Sequence, residues 1–175
     1  MGSRDQVDDF VDRAVGIFPR LDPEVEGVVD RLAHLDKRFA QLLEHTVAPF
    51  GLNKGEFKVL TALRQRPPGY AMSPGALGEC FLLSSGAMTN RLDRLEEAGF
   101  VVREPDPDDR RALLVRLTPA GLAMIDEAVN AEIDRETEVV SALSAAEQKR
   151  LNALLRKLML AFESAPRVRA AHATV

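Results

Sequence analysis

The predicted helix over residues 84–98 carries side chains that could bind the edges of nucleic-acid bases. At about 100° per residue, its apolar residues Met88, Leu92 and Leu95 share one face, which we expect to pack inward. Arginine can bond guanine through two N–H groups, asparagine can bond adenine, and glycine permits close approach of the helix. The residues available for this chemistry are Gly86, Thr89, Asn90, Arg91 and Arg94. Taken alone, such a face is also typical of a solvated helix surface.

A second group of candidate residues lies in the polar segment 105–111, which we call the wing loop. Its proline and aspartate residues are typical of a turn. Arg110 and Arg111 at its tip could straddle or enter a narrow minor groove, and Asp109 could pair with one of them to fix the loop. The alternative is a solvated turn, whose surface ion pairs contribute under about 1 kcal/mol each.

The elements around these residues follow the order of a winged helix-turn-helix. Ser73 and Pro74 open a short predicted helix that ends near residue 81, and Ser84 and Ser85 cap the next helix after a tight connection. The three serine hydroxyls and the free N–H groups at these helix starts can bond phosphate. Strand-like segments at residues 100–104 and 112–117 then enclose the wing loop. This order favours DNA binding over the two simpler interpretations.

Longer amphipathic helices are predicted on both sides of this segment, at residues 6–18, 23–48, 53–65, 119–143 and 145–163. The predicted fold is therefore mainly α with a small β-wing. We interpret the chain as one domain, in which residues 53–117 form a DNA-binding lobe and residues 164–175 form a flexible tail. Residues 6–48 and 119–163 would supply a dimer base. The last helix carries more apolar surface than a peripheral helix needs, although intrachain core is the alternative.

Charge gives no support to DNA binding by itself. The whole chain has a net charge of −4. Residues 73–117, here called the reading unit, contain six arginines and eight acidic residues. A DNA-binding surface therefore requires the arginines to be separated from the acids in space. If they are instead tied up in ion pairs with Glu96, Glu97, Asp106 or Asp108, the better interpretation is a winged-helix interaction module that does not bind DNA.

Several classes of function are disfavoured by the sequence. One cysteine and three separated histidines give no metal-ligand spacing, and we expect neither a metal nor another cofactor. No nucleophile motif or phosphate-binding glycine loop indicates an enzyme. No long apolar segment or signal peptide is apparent, so we expect a cytoplasmic, nucleoid-associated protein without a membrane partner. Cys80 has no basic neighbour in sequence, and we predict that it is a buried packing residue.

The segment Ser84–Gly121 resembles the core of the multiple-antibiotic-resistance-regulator (MarR) family. Its Asp109-x-Arg111-x-x-x-Val115-x-Leu117-Thr118 run matches the wing signature of that family, and the resemblance extends over about residues 25–163. It implies a homodimer whose terminal helices interlock and which binds double-stranded, pseudo-palindromic operator DNA, usually as a repressor. A small aromatic or anionic ligand would release the DNA.

The resemblance also implies a ligand crevice between the dimer base and the DNA-binding lobes. The residues of this chain that we expect to line it are His34, Arg38, His45, Phe57 and Lys58. Arg38 or Lys58 would bind an anion. For each residue, the alternative is a solvated charge or a side chain at the edge of the core.

The helix at residues 6–18 and the sequence of residues 89–95 are similar to the urate-responsive branch of the family. That branch relies on a tryptophan in its early helices and on an aspartate near the position of Lys58. This chain contains no tryptophan. We therefore expect an anionic ligand other than urate.

Overall fold

A computed structural model describes residues 4–107, 109 and 112–164 of the chain. The helices are α1 (Gln6–Val15), α2 (Pro23–Val47), α3 (Lys54–Arg64), α4 (Pro74–Phe81), α5 (Ser85–Glu97), α6 (Pro119–Val140) and α7 (Ala145–Ser164), with a 3-10 turn at Ala48–Phe50. The strands are β1 (Ala71–Met72), β2 (Val101–Pro105) and β3 (Leu113–Leu117). The prediction of a mainly α fold with a small β-wing is confirmed.

The predicted helix starts are also confirmed, because local side-chain caps determine them. Asp22 caps α2, Ser73 caps α4 and Ser84 caps α5. At α3, the Glu56 N–H donates to Asn53 Oδ1 at 3.0 Å, and the Asn53 N–H donates to Glu56 Oε2 at 2.9 Å. These bonds satisfy N–H groups that have no partner within the helix. Two helix ends were placed too late, because α1 ends three residues and α6 three residues earlier than predicted.

The sheet has three strands in the order β1-β3-β2, and all its pairings are antiparallel. Strand β1 was not predicted, because two residues are too few to show an alternating pattern. Its pairing of Met72 with Val115 joins the segment before α4 to the wing. Val101 pairs with Leu117 at the other side of β3, and Val101, Val115 and Leu117 are all buried.

The core of the DNA-binding lobe is closed within the chain. Side chains of α3, α5, β3 and α6 that are at most 1% exposed include Leu60, Leu63, Leu92, Val115 and Ile125. Cys80 lies outside this core, so the prediction that it is buried was wrong. Leu77, Gly78 and Phe81 occupy the packed side of α4, and Cys80 projects away from them.

The chain divides into two compact units after Glu132. The second unit contains the end of α6 and all of α7, joined by a capped turn. The Ser144 N–H donates to Glu147 Oε2 at 2.9 Å, which is one of the two bonds of a capping box. The Gln148 side chain donates to the carbonyl oxygens of Val140 at 3.2 Å and Leu143 at 2.9 Å. In the described part of the chain, no helix is long and apolar enough to cross a membrane.

Candidate DNA-binding interface

Helices α4 and α5 form a helix-turn-helix with a tight connection. Leu82 ends α4 in the left-handed region, with φ of 52°, and the Leu83 N–H donates to the Gly78 carbonyl at 3.0 Å. Met88, Leu92 and Leu95 are each 1% exposed, so the predicted inward face of α5 is confirmed. The opposite face of α5 is therefore free to contact another molecule.

The first turn and outer face of α5 hold the predicted base and phosphate contacts. Ser84, Ser85, Gly86, Thr89 and Asn90 are all exposed. Open space surrounds Gly86, since no neighbouring atom would lie within 4 Å of an added Cβ. The Thr89 hydroxyl donates to the Ser85 carbonyl at 2.9 Å, which leaves its oxygen able to accept a second bond. Ser73, by contrast, is half-buried, and its hydroxyl caps α4.

The two arginines of α5 rest on the first turn of α3. An added Cβ on Gly55 would lie 2.5 Å from Cζ of Arg91, so the Arg91 guanidinium lies directly against this glycine and would have to shift if the residue were larger. Arg94 Nη2 lies 2.9 Å from Glu56 Oε1, and Glu56 is 6% exposed while the Arg94 side chain is 61% exposed. Arg91 has no ion pair among the described residues. Arg91 is thus half-buried and without an ion pair among the described residues, whereas Arg94 is exposed and paired with Glu56.

Arg103 on β2 contacts the side of α5 that faces the wing. Its Nη1 donates to Glu96 Oε2 at 2.6 Å, and its Nη2 donates to Asp93 Oδ1 at 2.6 Å and to the Thr89 carbonyl at 3.4 Å. The Arg103 N–H adds a bond to Glu96 Oε1 at 3.0 Å. Two carboxylates of α5 are therefore paired with one cation from the neighbouring strand.

A second internal pair lies on the sheet. Arg116 Nε donates to Glu104 Oε1 at 2.6 Å, and Arg116 Nη1 also contacts the Gly69 carbonyl. Together, Arg103 and Arg116 pair with three acids of the reading unit, and neither arginine was predicted to contact DNA. These two arginines of the reading unit are thus tied up in ion pairs with its acids, as the interaction-module alternative expects, and only the remaining arginines could serve DNA.

The wing arginines Arg110 and Arg111 lie outside the described residues, so their role stays a prediction. Asp109 is described and exposed. The Ala112 N–H donates to the Asp109 carbonyl at 2.9 Å, and the Asp106 N–H donates to the Ala112 carbonyl at 3.0 Å. These bonds close the ends of the loop beside β2 and β3.

A cavity of about 370 Å³ lies between α1 and α2. Its lining residues are Asp5, Gln6, Val7, Arg31, His34, Leu35 and Arg38. It unites two of the five residues predicted for a ligand crevice, His34 and Arg38. The other three lie apart from it, because Phe57 is in the core at 3% exposure and His45 and Lys58 are exposed.

Arg31 has a structural role at this cavity. Its Nε donates to Asp5 Oδ2 at 2.9 Å, and its Nη2 donates to Asp8 Oδ1 at 2.7 Å. The Arg31 guanidinium lowers the pKa of Asp5, and the Asp5 N–H, together with Arg31, lowers the pKa of Asp8. Both carboxylates thus stay charged at neutral pH and tie α1 to α2. No cluster of potential metal ligands occurs among the described residues.

Sequence reasoning missed Gly55, Glu56 and Arg103 as residues that hold the recognition helix. Glu56 caps α3 through one carboxylate oxygen and leaves the other for Arg94. Arg103 lies seven residues from Glu96, across a turn and a strand start. Residues this far apart, in a helix and a strand, show no common periodicity in the sequence. The one available signal was an arginine within a short predicted strand, which indicates a side chain that needs an acidic partner.

The sequence model described as the MarR family matches residues 50–112. The HTH-type transcriptional regulator PecS of Dickeya dadantii is 32% identical over 153 residues, which cover 87% of this chain and 92% of that protein. The multiple antibiotic resistance protein MarR of Escherichia coli is 32% identical over 131 residues, which cover 74% of this chain and 89% of the relative.

Solved structures agree with this similarity. A mutant of MarR from E. coli complexed with operator DNA has a TM-score of 0.63 at 30% identity, covering 82% of this chain and 96% of that chain. AbsC, a MarR family transcriptional regulator from Streptomyces coelicolor, has a TM-score of 0.69 at 22% identity and covers 83% of this chain and 99% of its own. The second similarity concerns the fold alone.

Proposed function

The chain belongs to the MarR family of transcriptional regulators, and on that premise we propose that it is an operator-binding repressor. It acts as a homodimer on a pseudo-palindromic site in double-stranded DNA and is released by a small anionic ligand. This role places it on the bacterial chromosome. The observation that carries the proposal is the solvent exposure of Ser84, Ser85, Gly86, Thr89 and Asn90 on the first turn and outer face of α5, whose inner face is buried.

The contacts divide between bases and phosphates. Asn90 and Arg91 bind base edges in the major groove, while Gly86 permits the close approach of the helix. Ser84, Ser85 and Thr89 bind phosphate, together with the N-terminal N–H groups of α5. Arg110 and Arg111 contact the minor groove or its phosphates. Arg94 can bind a base only if its ion pair with Glu56 opens or if its guanidinium contacts both partners at once. We therefore assign the principal guanine contact to Arg91.

Exposed apolar stripes support the homodimer. On α2, Val25, Val28, Leu32, Leu35 and Phe39 recur at alternating intervals of three and four residues, and each is at least 36% exposed. This spacing is that of a helix seam that packs against another helix. On α7, Leu151, Leu154, Leu158 and Phe162 form a second exposed stripe. A second copy of the chain would cover surfaces that a monomer leaves in water.

The cavity between α1 and α2 is the best candidate for the effector site. Arg38 and His34 lie one helical turn apart on its wall, and neither has a hydrogen bond or ion pair among the described residues. Arg31 is already engaged by Asp5 and Asp8. Val7 and Leu35 add apolar surface. The cationic groups would bind the carboxylate of an aromatic acid, and the apolar groups would contact its ring. Arg38→Gln should therefore weaken the ability of the ligand to release DNA, without changing DNA affinity in the absence of ligand.

The first test is binding to the DNA upstream of the protein's own gene, compared with random duplex at two salt concentrations. We expect tight, selective and salt-sensitive binding by the wild-type protein. Arg91→Ala should reduce selectivity by about tenfold, and Arg94→Ala by less. Arg110→Ala or Arg111→Ala should weaken binding to both duplexes and flatten the salt dependence. Weak binding without preference, followed by failure to select any sequence from a random pool, would contradict the proposal.

The Arg103–Glu96 and Arg94–Glu56 ion pairs favour one alternative, a winged-helix interaction module that does not bind DNA. An arginine engaged by a buried carboxylate is unavailable to a base unless the pair opens. The alternative predicts that selection from a random DNA pool enriches nothing. It also predicts that Arg91→Ala and Arg94→Ala have equal effects on whatever the protein binds.

A further inference from the structure

We propose that Arg103 is the positioning residue of the recognition helix. It fixes α5 against strand β2 and offsets one of the two negative charges of Asp93 and Glu96, so that the helix can enter a groove lined by phosphates. This inference rests on the proposed DNA binding and adds a residue that contacts no base. Its evidence is the set of contacts that one partly buried guanidinium makes with one side of α5.

The contacts of Arg103 with Thr89, Asp93 and Glu96, which we call the clamp, differ from an ordinary surface ion pair. The Arg103 side chain is 23% exposed, so it is screened from water more than an ordinary surface arginine. Its two terminal nitrogens reach three acceptors on successive turns of one helix, namely the Thr89 carbonyl, Asp93 and Glu96. A planar, multidentate guanidinium fixes orientation as well as distance, which a single lysine ammonium cannot do. Rotation or sliding of α5 would break at least one of these bonds.

The backbone of the same residue reinforces the clamp. Arg103 donates its N–H to Glu96 Oε1, while its side chain donates to Glu96 Oε2, so both oxygens of one carboxylate are engaged by one residue. Arg103 itself is held in register, because it pairs with Val115 on the central strand β3. The clamp therefore connects α5 to the sheet from which the wing loop extends. The spacing between groove-binding helix and wing depends on this connection.

Arg103 also reduces the negative charge that Asp93 and Glu96 place on α5. Asp93 and Glu96 lie on α5 itself, where uncompensated carboxylates would repel DNA phosphates. The guanidinium of Arg103 leaves this three-residue cluster with a net charge of −1 instead of −2. The hydrogen bonds also hold the carboxylates toward β2. Arg103 thus has two separable effects, one on charge and one on position.

Variants can separate these two effects. The measured quantities are affinity for random duplex and preference for a duplex selected by the wild-type protein from a random pool. Arg103→Met keeps much of the stem but removes the charge and the clamp. We expect random-duplex affinity to fall roughly tenfold through repulsion, and preference to fall by about the discrimination of one bidentate contact, roughly tenfold.

The triple variant D93N/E96Q/R103M removes the repulsion and the clamp together. We expect random-duplex affinity to return at least to the wild-type value, while preference stays low. Recovery of preference would show that Arg103 acts by charge alone and would overturn the positioning role. Failure to recover random-duplex affinity would overturn the neutralising role. Wild-type behaviour of R103M on both duplexes would overturn both.

A matched control and a second variant guard against misfolding. Arg135→Met removes an equal charge from an exposed pair with Glu138 on α6, and it should leave preference unchanged. Asp93→Asn tests the charge effect with the Glu96 bonds intact, and it should tighten random-duplex binding by about threefold. No tightening in D93N would count against neutralisation even if R103M fails to fold. A wild-type protein that selects no sequence would instead overturn the proposed function.

Discussion

The DNA-binding lobe and α7 use apolar residues at similar helical spacing, with opposite results. In α5, Met88, Leu92 and Leu95 are each 1% exposed. In α7, Leu154 is 54% and Phe162 is 60% exposed, and this helix has no fully buried residue. Residues of α3, β3 and α6 belong to the same buried core as the inner face of α5, so that face is covered within one chain. The apolar stripe of α7 stays in contact with solvent in the single chain.

The difference shows that periodicity identifies a face but does not identify its partner. The hydrophobic core of the DNA-binding lobe is formed by residues of one copy of the chain. The stripe of α7 has the composition of an interface core, and burial of such residues is the main favourable term in association. We therefore expect changes in the lobe to act on folding or on DNA binding, and changes in α7 to act on assembly.

The largest effect should come from placing charges in the α7 stripe. Leu154→Glu with Leu158→Glu should weaken the dimer by about 4 kcal/mol, or roughly a thousandfold in Kd, because carboxylates would be buried without partners. Sedimentation equilibrium measures the effect, and Asn152→Glu, off the stripe of the same helix, is the control. A double variant that dimerises as well as the control would refute the assignment of this stripe to the interface.

Gly121 tests the self-sufficiency of the lobe. An added Cβ would lie 2.0 Å from the Phe100 carbonyl oxygen, and the Gly121 N–H donates to Thr118 Oγ1 at 3.0 Å. Gly121→Ala should therefore lower the free energy of unfolding by about 3 kcal/mol, since backbone must move. Denaturant titration measures it. Gly86→Ala is the control, because an added Cβ there meets open space and should stabilise α5 by about 0.5 kcal/mol. Equal effects of the two variants would show that the contact between residue 121 and the Phe100 carbonyl does not determine stability.

Leu82 should give a smaller effect of opposite sign. It is 81% exposed and adopts φ of 52°, a conformation that favours glycine. Leu82→Gly should raise the free energy of unfolding by about 1 kcal/mol, because strain is relieved and little packing is lost. Leu113→Gly, at a half-exposed strand position, should lower it. Thermal unfolding of both variants distinguishes strain from simple loss of a leucine, and destabilisation of both would exclude strain at residue 82.

Acid should loosen the attachment of α1 to α2. The lowered pKa values of Asp5 and Asp8 mean that their contribution to stability is fully present above the ordinary carboxyl pKa of 3.8. It is lost as the pH falls through the still lower values of the folded state. The protection factors of the α1 amides, calculated against the intrinsic exchange rate at each pH, should therefore fall below pH 3.8. Arg31→Met should remove much of this dependence, and an unchanged profile would contradict the ion pairs.

Local signals determined a large part of this protein. Asp22, Ser73, Ser84 and the Asn53–Glu56 capping box specify helix starts within a few residues of chain, and apolar periodicity specified the buried face of α5. The order of elements identified the winged helix and, with the wing signature, the family. These features are readable because hydrogen bonds at helix ends and side-chain spacing along a helix depend on near neighbours.

Only the tertiary structure decided how the charges are partnered. Arg94 pairs with Glu56, which lies 38 residues earlier in the chain, and Arg103 pairs with Asp93 and Glu96 across a turn. The sequence counts gave a reading unit with an excess of acids, and counting cannot tell a paired acid from a free one. Coulomb interactions depend on distance and burial, and both are set by packing between elements rather than by position along the chain.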